Sequence, residues 1–231
     1  MTTVAQVVPW RAQQVLKSIY RGVRLRSAVS RLRASLRSGG VPSAADLSAL
    51  IYGWGNEAWS AEAGLLQAIV DEVDRSQPGH VLECGTGVST LLLGLLSEGA
   101  RMTFWSLEHD SHWHAYTAER MARLRVPTKG VLLAPMRRYD GFDWYDAAAH
   151  ALPDRFDVII CDGPPGSTRG GRFGLVPVLR DRIAAGTRII VDDAHRPDEQ
   201  EIVRRWSSEF DLRFATQRET DQFLVLRVVG S

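Results

Sequence analysis

The chain has 231 residues, of which 45% are apolar, 24% charged and 8% aromatic, and its 28 basic and 27 acidic side chains leave a formal net charge of +1. That composition closes a sizeable core in one large α/β domain or two small ones, and it excludes a dominantly disordered chain. No apolar run approaches the roughly 20 residues of a membrane span, which excludes an integral helical membrane protein. Two cysteines, Cys84 and Cys161, make neither a disulfide framework nor a zinc site, and they read as buried, reduced thiols of a cytoplasmic protein.

Residues 1–40 hold eight Lys or Arg and no acid, whereas the remaining 191 hold 20 basic and 27 acidic side chains, a net of −7. Leu16, Ile19, Tyr20 and Val23, then Leu25, Val29, Leu32 and Leu36, recur at helical spacing with Arg21, Arg24, Arg31 and Arg33 between them. One or two basic amphipathic helices are predicted. Such an extension covers the acidic body, pairs subunits in a homo-oligomer, lies on an anionic membrane surface, or contacts nucleic acid. The plainest of these is an accessory helix on the domain or in a dimer. Ser38-Gly39-Gly40-Val41-Pro42-Ser43 reads as the hinge that ends it, so the expected domains are 1–43 and 44–231.

From residue 44 strand and helix patterns alternate. Ala61–Val73 predicts a helix with Ser60 as N-cap and Leu65, Leu66, Ile69 and Val73 on one face. His80–Glu83 is a short buried strand, followed by a glycine turn and a helix over Thr90–Leu96. Met102–Leu107 is a second strand ending at Glu108, with a helix over Ser111–Leu124 after it, and Gly130–Ala134 is a third strand. Phe156–Cys161 and Thr187–Val191 are almost wholly apolar, as central parallel strands buried on both faces are. A helix through Glu201–Trp206 leads to Asp211–Thr216 and Gln222–Val228, alternating segments joined by a turn at Gln217–Thr220. The expected fold is α/β: a doubly wound, mostly parallel, seven-stranded Rossmann-like sheet with an antiparallel C-terminal hairpin, behind an N-terminal helical extension.

In such a sheet chemistry gathers at the carboxyl ends of the strands, where strand order reverses. Four sequence features converge there. Glu83-Cys84-Gly85-Thr86-Gly87-Val88-Ser89-Thr90 follows the first strand; its glycines let the backbone turn sharply against a ligand, and a helix N-terminus comes next. Thr90 stands where the dinucleotide fingerprint has its third glycine, and Glu83 suits an ammonium group that a nicotinamide dinucleotide lacks. Both features weigh against an oxidoreductase. Glu108, 21 residues beyond Gly87, is placed to accept bonds from the hydroxyls of a ribose, the alternative being a surface carboxylate at a strand end. Asp162 leaves a buried strand into the rigid turn Gly163-Pro164-Pro165-Gly166, whereas Asp157 at the other end of that strand reads as structural. Asp192 and Asp193 end the next central strand, where adjacent acids repel each other and lose solvation. Either one of them caps a helix, or with Asp162 they form an oxygen-ligand site for Mg²⁺ or a similar divalent cation.

On these residues the chain resembles the class I S-adenosylmethionine-dependent methyltransferases over about residues 56–230. The resemblance implies that Glu83, Gly85, Gly87 and Ser89 carry the methionine part of S-adenosylmethionine and that Glu108 holds its ribose. It makes Asp162 the acid after the family's fourth strand, serving cofactor and catalysis. Asp162, Asp192 and Asp193 are similar to the metal triad of the catechol-type and macrolide-sugar O-methyltransferases, which implies metal-assisted methylation of a hydroxyl. Those families place a general base two or three residues beyond the acid matched by Asp162, where this chain has Pro164 and Pro165. His195, beside the paired acids, is then the base or else a solvated loop histidine.

The expected function is transfer of the methyl of S-adenosylmethionine to a hydroxyl of a small molecule or sugar. A nucleic-acid methyltransferase is the first rival, opposed by the acidic body and by the absence of an Asn-Pro-Pro-Tyr-like motif. A non-catalytic scaffold recruiting a partner through its N-terminal helices is the second, opposed by the intact Glu83, Gly85, Gly87 and Glu108. Asn56, Glu57, Trp59 and Ser60 either fold over the cofactor or, with Trp54, simply pack. Arg169-Gly170-Gly171-Arg172 is expected to be a mobile cationic stretch that receives an anionic substrate or is merely solvated. Trp144-Tyr145, after Arg137-Arg138, carries no decided role.

Overall fold

The computed structural model describes residues 10–55, 61–99 and 102–230. The chain divides into two compact units, Met1–Ser60 and Ala61–Ser231. In the first, α1 (Trp10–Arg37) is one continuous helix that ends at the expected hinge. A second helix, α2 (Ala44–Trp54), follows. Its start is set by Ser43, whose hydroxyl accepts from Asp46 N at 3.2 Å and donates to Asp46 Oδ2 at 2.7 Å, satisfying an N-terminal amide. Arg31 of α1 reaches the same carboxylate at 2.9 Å, and the Ser43 bond is the main cause holding Asp46 below its ordinary pKa. A Cβ on Gly53 would lie 2.7 Å from Leu25 Cα, so glycine is what lets the two backbones touch. Because α2 packs on α1, residues 44–54 lie in the N-terminal compact unit.

In the second unit α3 (Ala63–Ser76) opens at Glu62. Ser60, read as its cap, and the rest of 56–60 lie outside the described residues. There follow β1 (His80–Cys84), α4 (Val88–Gly99), β2 (Thr103–Glu108), α5 (Ser111–Arg123) and β3 (Val131–Leu133). A hairpin of β4 (Met136–Arg138) and β5 (Asp143–Tyr145) stands apart from the main sheet. The chain continues with β6 (Val158–Cys161), α6 (Leu175–Leu179), β7 (Arg188–Asp192), α7 (Pro197–Glu209), β8 (Arg213–Glu219) and β9 (Phe223–Gly230). The seven-stranded sheet has the order β3-β2-β1-β6-β7-β9-β8. The first five strands are parallel, and β9 and β8 close it antiparallel, as expected.

The apolar runs explain this order. Ile159, Ile160, Ile189 and Ile190 are fully buried in central strands, where helices cover both faces. Cys84 and Cys161 lie side by side in register, buried and unbridged, and burial pushes both thiols up. Two expectations shift. Strand β8 runs on through Gln217–Glu219, and the turn is made by Thr220, whose hydroxyl accepts from the amides of Gln222 and Phe223. The hairpin of β4 and β5 is too short to show periodicity in sequence, yet it carries Trp144 and Tyr145 into the core.

The order reverses between β1 and β6, so the crevice outside their carboxyl ends is where a ligand of such a sheet belongs. At the opposite end Asp157 accepts from the amides of Gly79 and His80 at 2.9 and 3.0 Å, pinning the start of β1. Asp157→Ala is expected to cost about 1–3 kcal/mol, read as a lower urea midpoint at unchanged m, with ligand affinity unaltered.

Candidate functional site

Strand β1 delivers Glu83 and Cys84 into a turn at Gly85, which has φ +93° and lies against the next loop: a Cβ there would be 3.4 Å from Gly163 N. The turn is tied to Glu83 by Thr90. Its hydroxyl donates to Glu83 Oε2 at 2.7 Å and accepts from Gly87 N at 2.9 Å. Thr90, which sequence reasoning used only to argue against a dinucleotide site, is therefore the brace of the loop. Glu83 is completely buried, and among the described residues its Oε1 has no hydrogen-bond partner. Burial pushes this carboxyl up to about 7, with the nearby hydroxyls of Ser106, Ser89 and Thr90 tempering the rise. A buried, orphaned carboxylate oxygen is an acceptor waiting for a donor.

Strand β2 ends at Glu108, also buried. Oε2 accepts from Thr86 N at 3.2 Å and Thr86 Oγ1 at 2.8 Å, while Oε1 accepts from Asp110 N at 2.9 Å and lies 3.1 Å from His109 Nδ1. Burial works to raise this carboxyl, but the contacts of His109, Asp110 and Thr86 outweigh it and hold the group below its ordinary value. Glu108 in turn raises His109. Thr86 takes both lone pairs of Oε2, and Asp110 N and His109 take those of Oε1, so the group holds the glycine turn and accepts from an outside hydroxyl only in exchange for one of these donors. Trp113 locks the other side of the turn by donating its indole N–H to Thr86 O.

Strands β6 and β7 bring Asp162, Asp192 and Asp193 together as the sequence predicts, with one oxygen of each within 4.8 Å of the others. In their midst stands Arg172, only 3% exposed. It donates to the carbonyls of Asp192 and Asp162, the latter at 3.0 Å, and to Asp193 Oδ2 at 3.0 Å. Its Nη2 is 3.6 Å from Asp162 Oδ1 and its Nε 3.7 Å from Glu199 Oε1 of α7. Arg196 pairs with the other oxygen of Asp193 at 2.9 Å, and Asp193 is held at φ 57°, a left-handed conformation that Asp tolerates better than most residues. Burial first, and then the charge of Asp192, pushes Asp162 well up, with Arg172 opposing; burial likewise raises Asp192 and Glu199.

The chain shares its fold with solved methyltransferase structures. The chain is similar to an O-methyltransferase from Bacillus cereus in complex with SAH (TM-score 0.57, 14% identity, covering 88% of this chain and 90% of that one). It is likewise similar to the O-methyltransferase TomG from Streptomyces achromogenes, involved in tomaymycin synthesis and in complex with SAM (0.55, 16%, 88% and 90%). A third is a putative O-methyltransferase from Klebsiella pneumoniae (0.54, 18%, 88% and 90%). The fold is that of the class I methyltransferases. No family model matches the sequence, and no curated protein matches it.

Within this methyltransferase fold Glu83, Gly85, Gly87, Ser89, Glu108 and Asp162 converge at the β1–β6 crevice, and Asp192 and Asp193 adjoin Asp162 across the β6–β7 pair. His195 follows Asp193 by two residues. It is exposed in the turn after β7, and among the described residues no hydrogen bond or ion pair orients it. The Arg169–Arg172 stretch is not a free cationic arm. Arg169 is bound to Asp143 at 2.8 Å and to the carbonyls of Tyr139 and Phe142, and Arg172 sits on a short 3₁₀ helix, Gly171–Gly174, packed into the unit. Trp206 fixes that helix by donating to Phe173 O at 2.8 Å, and a Cβ on Gly174 would lie 2.7 Å from Trp144. Tyr145 is buried beside Gly163, its hydroxyl unpartnered among the described residues.

Two outcomes follow from these charges. Glu83 is protonated more readily in the native state than in the unfolded chain, so its contribution to stability falls as pH rises through the interval up to about 7. Glu83→Gln is therefore expected to stabilise the ligand-free protein above about pH 7, by a margin on the order of 3 kcal/mol and negligible at about pH 4, in urea denaturation. Arg172→Met leaves the carboxylates uncompensated, and a loss of about 3–5 kcal/mol is expected by the same measurement.

Proposed function

We propose that the chain transfers the methyl group of S-adenosylmethionine to a hydroxyl oxygen of a small molecule or sugar. The observation that carries this reading is the pair Glu83 and Glu108 on either side of the Gly85–Gly87 turn: a buried acceptor without a donor among the described residues, and a carboxylate held below its ordinary pKa at the end of β2, whose Thr86 hydroxyl bond a ribose hydroxyl would replace. These fit the two polar ends of the cofactor, an ammonium and a ribose diol. The likeness to solved structures named as O-methyltransferases supports oxygen as the acceptor atom.

When bound, S-adenosylmethionine supplies a methyl group already activated on a sulfonium, so the chain's own residues need only orient, exclude water and take a proton. Glu83 Oε1 accepts from the ammonium, and Glu108 fixes the ribose through hydroxyl hydrogen bonds. The contact of Gly85 with Gly163 closes the floor between β1 and β6. The Asp162–Asp192 pair, raised by burial and joined by a shared hydrogen bond, takes the acceptor's hydroxyl proton onto a carboxylate oxygen. Arg172 keeps the pair's remaining charge tolerable. His195 at the same rim is the second proton acceptor to test.

A divalent cation is the second reading, and one observation favours it. With all groups ionised, Asp162, Asp192, Asp193 and Glu199 exceed Arg172 and Arg196 by two charges. The hard oxygens of Asp162, Asp192 and Asp193 would hold the ion, which would lower the pKa of a coordinated hydroxyl.

Calorimetric titration with S-adenosylhomocysteine tests the main reading. Micromolar-range affinity is expected, weakened roughly 10- to 100-fold in Glu108→Ala through lost hydrogen bonds to a charged group; equal affinity in that variant contradicts the assignment. Once an acceptor is found, Asp192→Asn is expected to lose turnover at unchanged cofactor affinity, and His195→Ala to keep most of it. Loss of turnover on chelation, restored by Mg²⁺, selects the second reading.

A further inference from the structure

The first half of α1 presents an apolar face of which the packing on α2 uses only one edge, where Tyr20 meets Tyr52 of α2 with ring centroids 6.1 Å apart. At about 3.6 residues per turn, Leu25, Ala28, Val29 and Leu32 form one side of the helix, and all four are buried. Leu16, Ile19, Tyr20 and Val23 repeat the same spacing on the opposite side of the helix, and each is more than half exposed, as is Val15. The helix thus carries two apolar stripes of opposite direction, one for its own fold and one facing outward. A contiguous outward stripe of aliphatic side chains marks an interaction site.

Charge says what covers it. Residues 1–45 contain no acid, and α1 alone carries eight Lys or Arg. The exposed Lys17 and Arg24 flank the stripe, and the exposed Arg26 and Arg37 prolong it along the same side of the helix. We propose that this outward face of α1, an aliphatic half followed by a basic half, binds the surface of an anionic lipid bilayer. Aliphatic side chains enter the boundary between headgroups and acyl chains while flanking Lys and Arg side chains lie along it and meet lipid phosphates. Two copies of this face brought together would set basic groups against basic groups with no acid on either to pair them. A nucleic acid would leave Leu16, Ile19 and Val23 without a use, since aliphatic groups offer no stacking face. Among the described residues no helix is long and apolar enough to cross a membrane, so the attachment is peripheral.

Co-sedimentation of the full chain with vesicles tests this, using phosphatidylcholine alone and phosphatidylcholine mixed with phosphatidylglycerol. The expected result is at least roughly tenfold tighter binding to the anionic vesicles, weakening as salt rises from about 0.1 M to about 1 M. Leu16→Glu with Ile19→Glu is expected to abolish it, and Arg26→Glu with Arg37→Glu to reduce it. All four side chains are exposed, and an unchanged thermal midpoint with S-adenosylhomocysteine bound separates this from misfolding. Equal binding to both vesicle types, no binding, or binding indifferent to Leu16→Glu with Ile19→Glu overturns the proposal. So does a dimer in light scattering that those two substitutions dissociate, or a shift of a nucleic-acid duplex in their place.

Discussion

Parallel strands end at one edge of the sheet, and in this chain that edge collects Glu83, Glu108, Asp162, Asp192 and Asp193. Carboxylates gathered so closely in a partly buried rim repel one another and lose solvation. The buried guanidinium of Arg172 is what makes the arrangement tenable at its β6–β7 side, since a planar fork satisfies two carbonyls and two carboxylates at once. The rest of the unit is organised to keep that fork in place. Trp206 of α7 holds the 3₁₀ helix that carries it, Glu199 of the same α7 lies beside its Nε, and Gly174 lets that helix lie flat on Trp144. On the β1–β2 side hydroxyl donors serve instead of a guanidinium, Thr90 for Glu83 and Thr86 for Glu108, with His109 beside the latter.

Much of this was legible in the sequence because it rests on local patterns. The mostly apolar segments Phe156–Cys161 and Thr187–Val191 announce central strands, and an acid just past each announces the rim. Other parts depend on partners far along the chain. An Arg in an Arg-Gly-Gly-Arg stretch looks solvated until the acids 20 and 21 residues beyond it, Asp192 and Asp193, are folded against it. Helix α2 was legible in principle, through the Ser43-x-x-Asp46 capping pair, but its packing on α1 turns on Gly53, which carries no outward signal. The two opposed stripes of α1 were both present as helical spacing, and only packing shows that one of them is spent and the other is not.

The fold persists among solved O-methyltransferases at 14–18% identity, and that is physically reasonable. What the crevice requires is a strand order that reverses between β1 and β6, a turn without side chains at Gly85, and carboxylates at two strand ends. Many sequences meet those conditions. Function, by contrast, sits in the few groups at the rim. Arg172 and Arg196 compensate the acidic rim of this chain in part from within.

A crystal structure of the protein grown with S-adenosylhomocysteine tests the central claim most directly. The ligand is expected in the crevice at the carboxyl ends of β1 and β6, its ribose hydroxyls bonded to Glu108 and its ammonium to Glu83 Oε1, with Arg172 still on Asp193. A ligand seated elsewhere, or a ribose that turns away from Glu108, would contradict it.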